Sequence, residues 1–366
     1  MAQMTPRERV LAVLRHEQPD RVPWVENEVE EDLQVRIMGT TEYNPADLCR
    51  KLGMDGFGYH FPKGIGAAAS QALQSGESVK AAFYYPKKIT FDFVPPWIAE
   101  MGNDEATGRS YIKHGLLTSR EALKLFDEFL PDPDHPARYE RITEWLRDYK
   151  EDLAVFARVR LGTASTLESM GLDVFGYMLY DDPDLIHEVH RRFSDWSVRV
   201  VRNLNELDID FFWANDDVAG NDGPFMSPKV FREFFLPHMK TVAQEFKKPW
   251  VYHSDGNLFP LLPDLLTLGM NAVHPIQPAA MDMAKMKNEY GDRVSIAGNI
   301  DLDYTLTLGT TAEVDAEVKE RIRVAGRGGG YMITSANSLT NYCKTENVLA
   351  MAEAIRKYGS YPLSLG

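Results

Sequence analysis

Short apolar runs bounded by turn residues recur along the chain, and between them the apolar positions repeat at helical spacing. The runs span Arg21–Val25, Gly56–His60, Ala154–Leu161, Asp210–Asp217, Pro249–His253, Asn271–Pro275, Arg293–Gly298 and Gly330–Thr334. Parallel neighbours need a crossover, usually a helix, so eight strands separated by helices predict an α/β protein, closing most simply into a (β/α)8 TIM-type barrel. Helix boundaries are marked chemically. Thr5-Pro6 is a start, Ser227 caps a long amphipathic segment running to Lys248 with a kink at Pro237, and Gly326 and Gly359 stop the helices 312–325 and 346–358. Residues 64–118 break the rhythm with alternating stretches at 83–85, 89–94 and 111–114, which predict a β-hairpin layer inserted after strand two, over the barrel mouth. Residues 1–366 are read as a single domain.

With 366 residues, 44% of them hydrophobic and 26% charged, the chain can bury a large core. Its formal charge of −14 argues against nucleic acid as a partner and against a polyanionic substrate, unless arginines gather in one pocket. Two cysteines, Cys49 and Cys343, at no metal-binding spacing signal neither a disulfide framework nor a thiolate zinc cluster. The polar start and the absence of an apolar run of membrane length lead to the expectation of a cytoplasmic protein with no membrane partner.

Barrel chemistry gathers at the C-terminal strand ends, and here the polar residues form a set. Strand one ends on Glu26 and Glu28, strand two on His60, strand four on Asn215, Asp216 and Asp217, and strand five on His253 and Asp255. Strand six adds His274 and Gln277, strand seven Asn299 and Asp301, and strand eight Ser335 and Asn337. A single such residue is more often a turn or a cap, but three histidines among them are not what turns alone select. Glu28, Asp216, His253 and Asp255 are the catalytic candidates. His60, Asn215, His274, Gln277, Asn299 and Asn337 are the substrate-binding ones.

His253 and Asp255 stand two apart, so on an extended chain they share a face and a cation between them is one reading. In the other reading Asp255 begins the turn at Gly256 and His253 meets substrate directly. Glu28, Asp216 and Asn337 are the candidates for a third ligand. Of the pair Asp216-Asp217 at most one faces the mouth, as a base or a ligand; in the other reading one caps the loop 219–223 and the other pairs with an arginine. Arg158 and Arg160 share a face of strand three, where a structural ion pair is the simpler reading. Gly328-Gly-Gly330 precedes a strand and is discounted as a phosphate loop.

Glu8-Arg-Val-Leu-Ala-Val-Leu, Pro19-Asp-Arg-Val-Pro23, Gly223-Pro-Phe-Met-Ser-Pro228, His253-Ser-Asp-Gly256, His274-Pro-Ile-Gln277 and Gly298-Asn-Ile-Asp301 occur in an order that resembles the uroporphyrinogen decarboxylase superfamily. That resemblance implies a (β/α)8 barrel and one of two activities, decarboxylation of uroporphyrinogen or methyl transfer involving cobalamin. The decarboxylases carry two arginines after the first strand; Glu28 and Asp32 stand near those positions here, and they would repel a polycarboxylate. The thiol-methylating members hold zinc with His-x-Cys and a later cysteine, where this chain has His253, Asp255 and, roughly, Asn337. A nitrogen and oxygen ligand set is harder and suits an oxygen substrate. The resemblance therefore implies a methyltransferase that demethylates a methoxylated aromatic and passes the methyl group to a separate corrinoid protein, with zinc on His253 and Asp255. The alternative is uroporphyrinogen decarboxylase or a related decarboxylase. The chain lacks the cobalamin motif Asp-x-His-x-x-Gly, so the corrinoid must arrive on its partner. Phe83, Tyr84, Phe91, Phe93 and Trp97 are candidates for an apolar ring pocket, against the simpler reading that they are hairpin core.

Overall fold

The computed structural model describes residues 3–58, 79–83, 97–103 and 110–364. Seven strands form one parallel sheet: β1 (Gly56–Gly58), β5 (Ala154–Val159), β6 (Phe211–Asn215), β9 (Trp250–His253), β10 (Ala272–His274), β11 (Ser295–Ala297) and β12 (Tyr331–Met332), in that spatial order. The intervening β2 (Val79–Phe83), β3 (Trp97–Asn103) and β4 (Ser110–Gly115) make a separate antiparallel sheet. The last two, β7 (Ala219–Gly220) and β8 (Gly223–Pro224), form a small hairpin. The first apolar run is not a full strand. It contributes single parallel bridges, Trp24 to Ile333 and Val25 to Gly56, and so lies between the two edges of the sheet.

Strand alternation sorts the core into two layers. Val25, Ala154, Phe156, Phe211, Trp213, Val251, Ala272, Ala297 and Met332 form an inner cluster, with Val10, Val13 and Leu14 of the helix Pro6–Leu14 packed onto it. Their chain neighbours Val155, Phe212, Ala214, Tyr252, Val273 and Ile296 belong to the larger outer cluster between sheet and helices. Helix ends follow the sequence signals. Thr5 and Glu8 form a capping box, Ser227 accepts from the Val230 amide, and Thr310 and Glu313 form a second box at the helix Thr311–Ala325. The kink expected at Pro237 is a π-helical turn, Phe231–Phe235, directly before the helix Leu236–Ala243.

The antiparallel sheet leans on the helix Thr163–Met170: Ile98 N donates to Ser169 Oγ (2.9 Å) and Leu117 N to Ser169 O (2.8 Å). Its third strand overlaps the stretch expected at 111–114, whereas 84–85 and 89–94 lie outside the described residues. Among the described residues no helix is long and apolar enough to cross a membrane.

Candidate active site

Sheet register aligns the polar strand ends. Asn215 pairs with His253 and His253 with His274, so the three form one row. His253 shares its parity with inward-facing Val251, and His274 with Ala272. Both histidines are buried, and their Nδ1 atoms lie 2.6 Å apart. Burial first, then proximity to His253, holds His274 well below the ordinary imidazole range. A hydrogen bond between the two Nδ1 atoms needs the proton on one of them and a lone pair on the other. Assigned to His253 Nδ1, it leaves the Nε2 lone pair of His253 facing outward, toward Asp217 Oδ1 at 3.7 Å and Asp255 Oδ1 at 4.0 Å.

Asp217, His253 and Asp255 each offer a ligand atom within 4.8 Å of the others. Asp255 Oδ2 accepts from Asn337 Nδ2 (2.6 Å), while its buried Oδ1 has no hydrogen-bond partner among the described residues. Burial pushes the Asp255 carboxyl upward; His253 opposes this, the like charge of Asp217 adds to it, and the Asn337 hydrogen bond opposes it. An imidazole nitrogen and two carboxylates, one with an unsatisfied buried oxygen, fit a divalent cation such as zinc. Gly256 closes the motif at φ 83°, where a Cβ would stand 2.4 Å from Gly220 O, so only glycine fits the turn that aims Asp255.

The third member of the cluster corrects the sequence reading. Asp216, proposed as catalytic and as a third ligand, has the parity of outward-facing Phe212 and Ala214. Its fully buried carboxylate accepts from Thr163 N (3.1 Å) and Ala164 N (2.8 Å), capping the helix Thr163–Met170. Burial pushes it up to about 6 against those two amides and Arg160. Asp217 follows the inward parity of Phe211, Trp213 and Asn215 and faces the mouth; applying that alternation to strand four was the signal that identifies it. Replacing Asp216 with alanine is expected to cost about 2 kcal/mol by stripping two buried amides of their acceptor, measured as a shift in the urea midpoint.

Other candidates divide. His253, Asn215, Asn337 and Glu28 line one cavity of about 1010 Å³, together with Asp217, Glu26, Arg158, Arg160, Glu168, Phe57, Trp97 and Trp145. Glu28 is an ion-pair partner of Arg158 (2.7 Å), the structural pair expected for that arginine. Asp255 lines the two adjoining chambers, one of which also contains Asp217 and Glu168. Gln277 is a latch: Oε1 accepts from Gly256 N (2.8 Å) and Nε2 donates to Asn221 Oδ1 (2.9 Å), and it lines one of the chambers beside Asp255. Asn299 is fully buried and donates to the Ile276 carbonyl, so it holds a loop and does not meet the cavity. His60 lies outside the described residues, as do Tyr84, Phe91 and Phe93, while Trp97 reaches the cavity. Burial raises the Cys343 thiol and pushes Cys49 up to about 12, which keeps both protonated.

Sequence reasoning passed over Glu26 as a working group. Only 1% exposed, it takes Trp24 Nε1 (2.6 Å), Ser335 N (2.9 Å) and Ser335 Oγ (2.7 Å), and burial still pushes it up to about 7.

A parallel sheet whose strand ends converge on one cavity, with titratable and metal-competent groups at its mouth, defines a barrel-type α/β fold with a candidate active site. The sequence pattern of uroporphyrinogen decarboxylase (URO-D) matches residues 137–358, well over half of the chain, and the chain belongs to that family. It is similar to the uroporphyrinogen decarboxylase of Coxiella burnetii (22% identity over 191 residues, 50% of each chain) and to the methylcobamide:CoM methyltransferase MtaA of Methanosarcina barkeri (25% over 195 residues, 53% of this chain and 56% of the relative). The chain thus spans about half the length of the curated relatives it matches. A methyltransferase from Methanosarcina mazei shares the fold, at TM-score 0.67 and 19% identity, over 97% of this chain and 99% of its own.

Proposed function

We propose that the protein is a methyltransferase that takes the methyl group of a methoxylated aromatic compound and delivers it to the cobalt of a separate corrinoid protein in the cytoplasm. The observation that carries this reading is the oxygen-rich cluster Asp217, His253 and Asp255, gathered within 4.8 Å at the mouth. Similarity to a methylcobamide-dependent enzyme supports methyl transfer, and the hard donor set favours an ether oxygen over a thiol. The sheet is read as a complete (β/α)8 barrel closed by the Trp24 and Val25 bridges, with residues 64–118 inserted over its mouth; Trp97 in the cavity wall supports that placement.

In the reaction the methyl–oxygen bond breaks, the methyl carbon bonds to cobalt(I), and the ether oxygen leaves with the bond pair as a phenolate. Asp217, His253 and Asp255 would hold zinc, which when bound would supply Lewis acidity toward that oxygen. The protein's own groups do the rest. His274 fixes the tautomer of His253, Asn337 orients Asp255, and Gln277 holds the Gly256 turn. Phe57, Trp97 and Trp145 present apolar wall to an aromatic ring.

Decarboxylation of a polycarboxylate is the opposing reading. Among the described lining residues six carboxylates face three guanidiniums, and Glu28 already occupies Arg158, which argues against a highly anionic substrate. The test is anaerobic incubation with a methoxyarene and a cobalt(I) corrinoid protein. One equivalent of methylated corrinoid per phenol is expected, together with about one zinc per chain by metal analysis. A zinc-loaded protein that methylates no corrinoid from any methoxyarene would exclude the reading.

A further inference from the structure

Arg158 and Arg160 both project from the end of β5 toward the cavity, but their situations differ. Arg158 is paired with Glu28. Arg160 has no carboxylate within ion-pair distance among the described residues. Its Nη1 donates one long hydrogen bond to Ser165 Oγ (3.3 Å), its guanidinium lies 4.6 Å over the Trp97 ring, and its buried Nε has no acceptor. The nearby acids are engaged or set apart. Asp216 is committed to the Thr163 and Ala164 amides, and Glu168 lies outside ion-pair distance, its carboxyl raised first by burial, lowered by Arg160 and raised by Asp217. That double influence places Glu168 in the field of both Arg160 and Asp217, and Arg160, Trp97, Glu168, Asp217 and His253 border the same cavity.

A half-buried guanidinium with a buried, unpartnered Nε, stacked on an indole and with no carboxylate within ion-pair distance among the described residues, is the arrangement that a ligand anion completes. The flanking Glu168 and Asp217 disfavour a dianion and leave room for a single charge. We infer that Arg160 anchors a carboxylate carried by the substrate, so that the methyl donor is a methoxylated aromatic acid. The methyl-ether part of this statement rests on the function proposed above; the carboxylate part rests on Arg160 alone. The ring would lie along the Trp97 side of the cavity, its acid group on Arg160 and its ether oxygen toward Asp217, His253 and Asp255.

The test is equilibrium binding to the whole protein by calorimetry, comparing 4-methoxybenzoate with its neutral isostere 4-methoxybenzamide, and with inorganic phosphate. The benzoate is expected to bind at least about tenfold more tightly than the amide, and phosphate weakly. Arg160→Gln should erase that preference while leaving amide affinity unchanged, and Arg160→Lys should keep part of it. Equal affinity of the two compounds for the unaltered protein, or no binding of either, overturns the inference. So does a preference that survives in Arg160→Gln, or a variant that only melts earlier with its preference intact. Should Arg160-dependent binding occur without methyl transfer to any corrinoid, the anchor stands and the proposed reaction fails. Should methoxybenzoates be demethylated equally well by the protein and Arg160→Gln, the reaction stands and the anchor fails.

Discussion

Replacing His253 with alanine is expected to lower zinc affinity by at least about a hundredfold and to abolish methyl transfer. His253 is the only nitrogen donor of the cluster, and removing a ligand costs more than removing a group that merely orients one, which itself costs about 10–100-fold. The substitution also leaves His274 Nδ1, fully buried, without its 2.6 Å partner. Some loss of stability therefore accompanies the loss of metal, and His274→Ala separates the two effects: it should weaken zinc about tenfold to a hundredfold while leaving all three ligands in place. Titration against a chromophoric chelator measures both variants. Unchanged zinc affinity in His253→Ala would remove this cluster from consideration as the metal centre.

The second large effect concerns Glu26 and pH. Its carboxyl stands at about 7 in the folded protein against 4.5 ordinarily, because burial outweighs the Trp24 and Ser335 hydrogen bonds. The folded state holds this proton more tightly than the unfolded chain does. The resulting stability is fully present below about pH 4.5 and is lost as pH rises to about 7, a decline on the order of 3 kcal/mol. Glu26→Gln keeps an acceptor for Trp24 and the Ser335 amide and cannot ionise. Denaturant melts across pH 4.5 to 7.5 should therefore show a slope in the natural protein that the variant lacks, and parallel curves would refute the assignment. Because Glu26 lines the cavity, the same variant tests whether activity depends on its proton.

Strand positions were legible because burial on both faces of a parallel sheet writes continuous apolar runs into the chain. The runs expected at 154–161, 210–217 and 249–253 contain Ala154–Val159, Phe211–Asn215 and Trp250–His253. The two-residue spacing of His253 and Asp255 brings their side chains, with Asp217, within 4.8 Å of one another, since alternation is local geometry. Capping at Thr5 and Ser227 was readable for the same reason, being settled within a few residues. The first run, 21–25, was overestimated as a strand: only Trp24 and Val25 form bridges within it to the parallel sheet.

What the chain by itself determined, then, is whatever depends on neighbours a few residues away: periodicity, caps, turns, and which alternate residues share a face. What only the tertiary structure decided is which of those groups is already occupied. Asp216 is taken by amides 53 and 52 positions distant, Glu28 pairs with Arg158 across 130 positions, and Gln277 latches Gly256 from 21 positions on. Asp217 faces the mouth with its Oδ1 accepting from Asp255 N (2.9 Å), and Arg160 has no carboxylate within ion-pair distance among the described residues. Strand register and helix placement set those pairings, and no local pattern encodes them, because a hydrogen bond satisfied from a distant segment leaves no mark on the residues beside it.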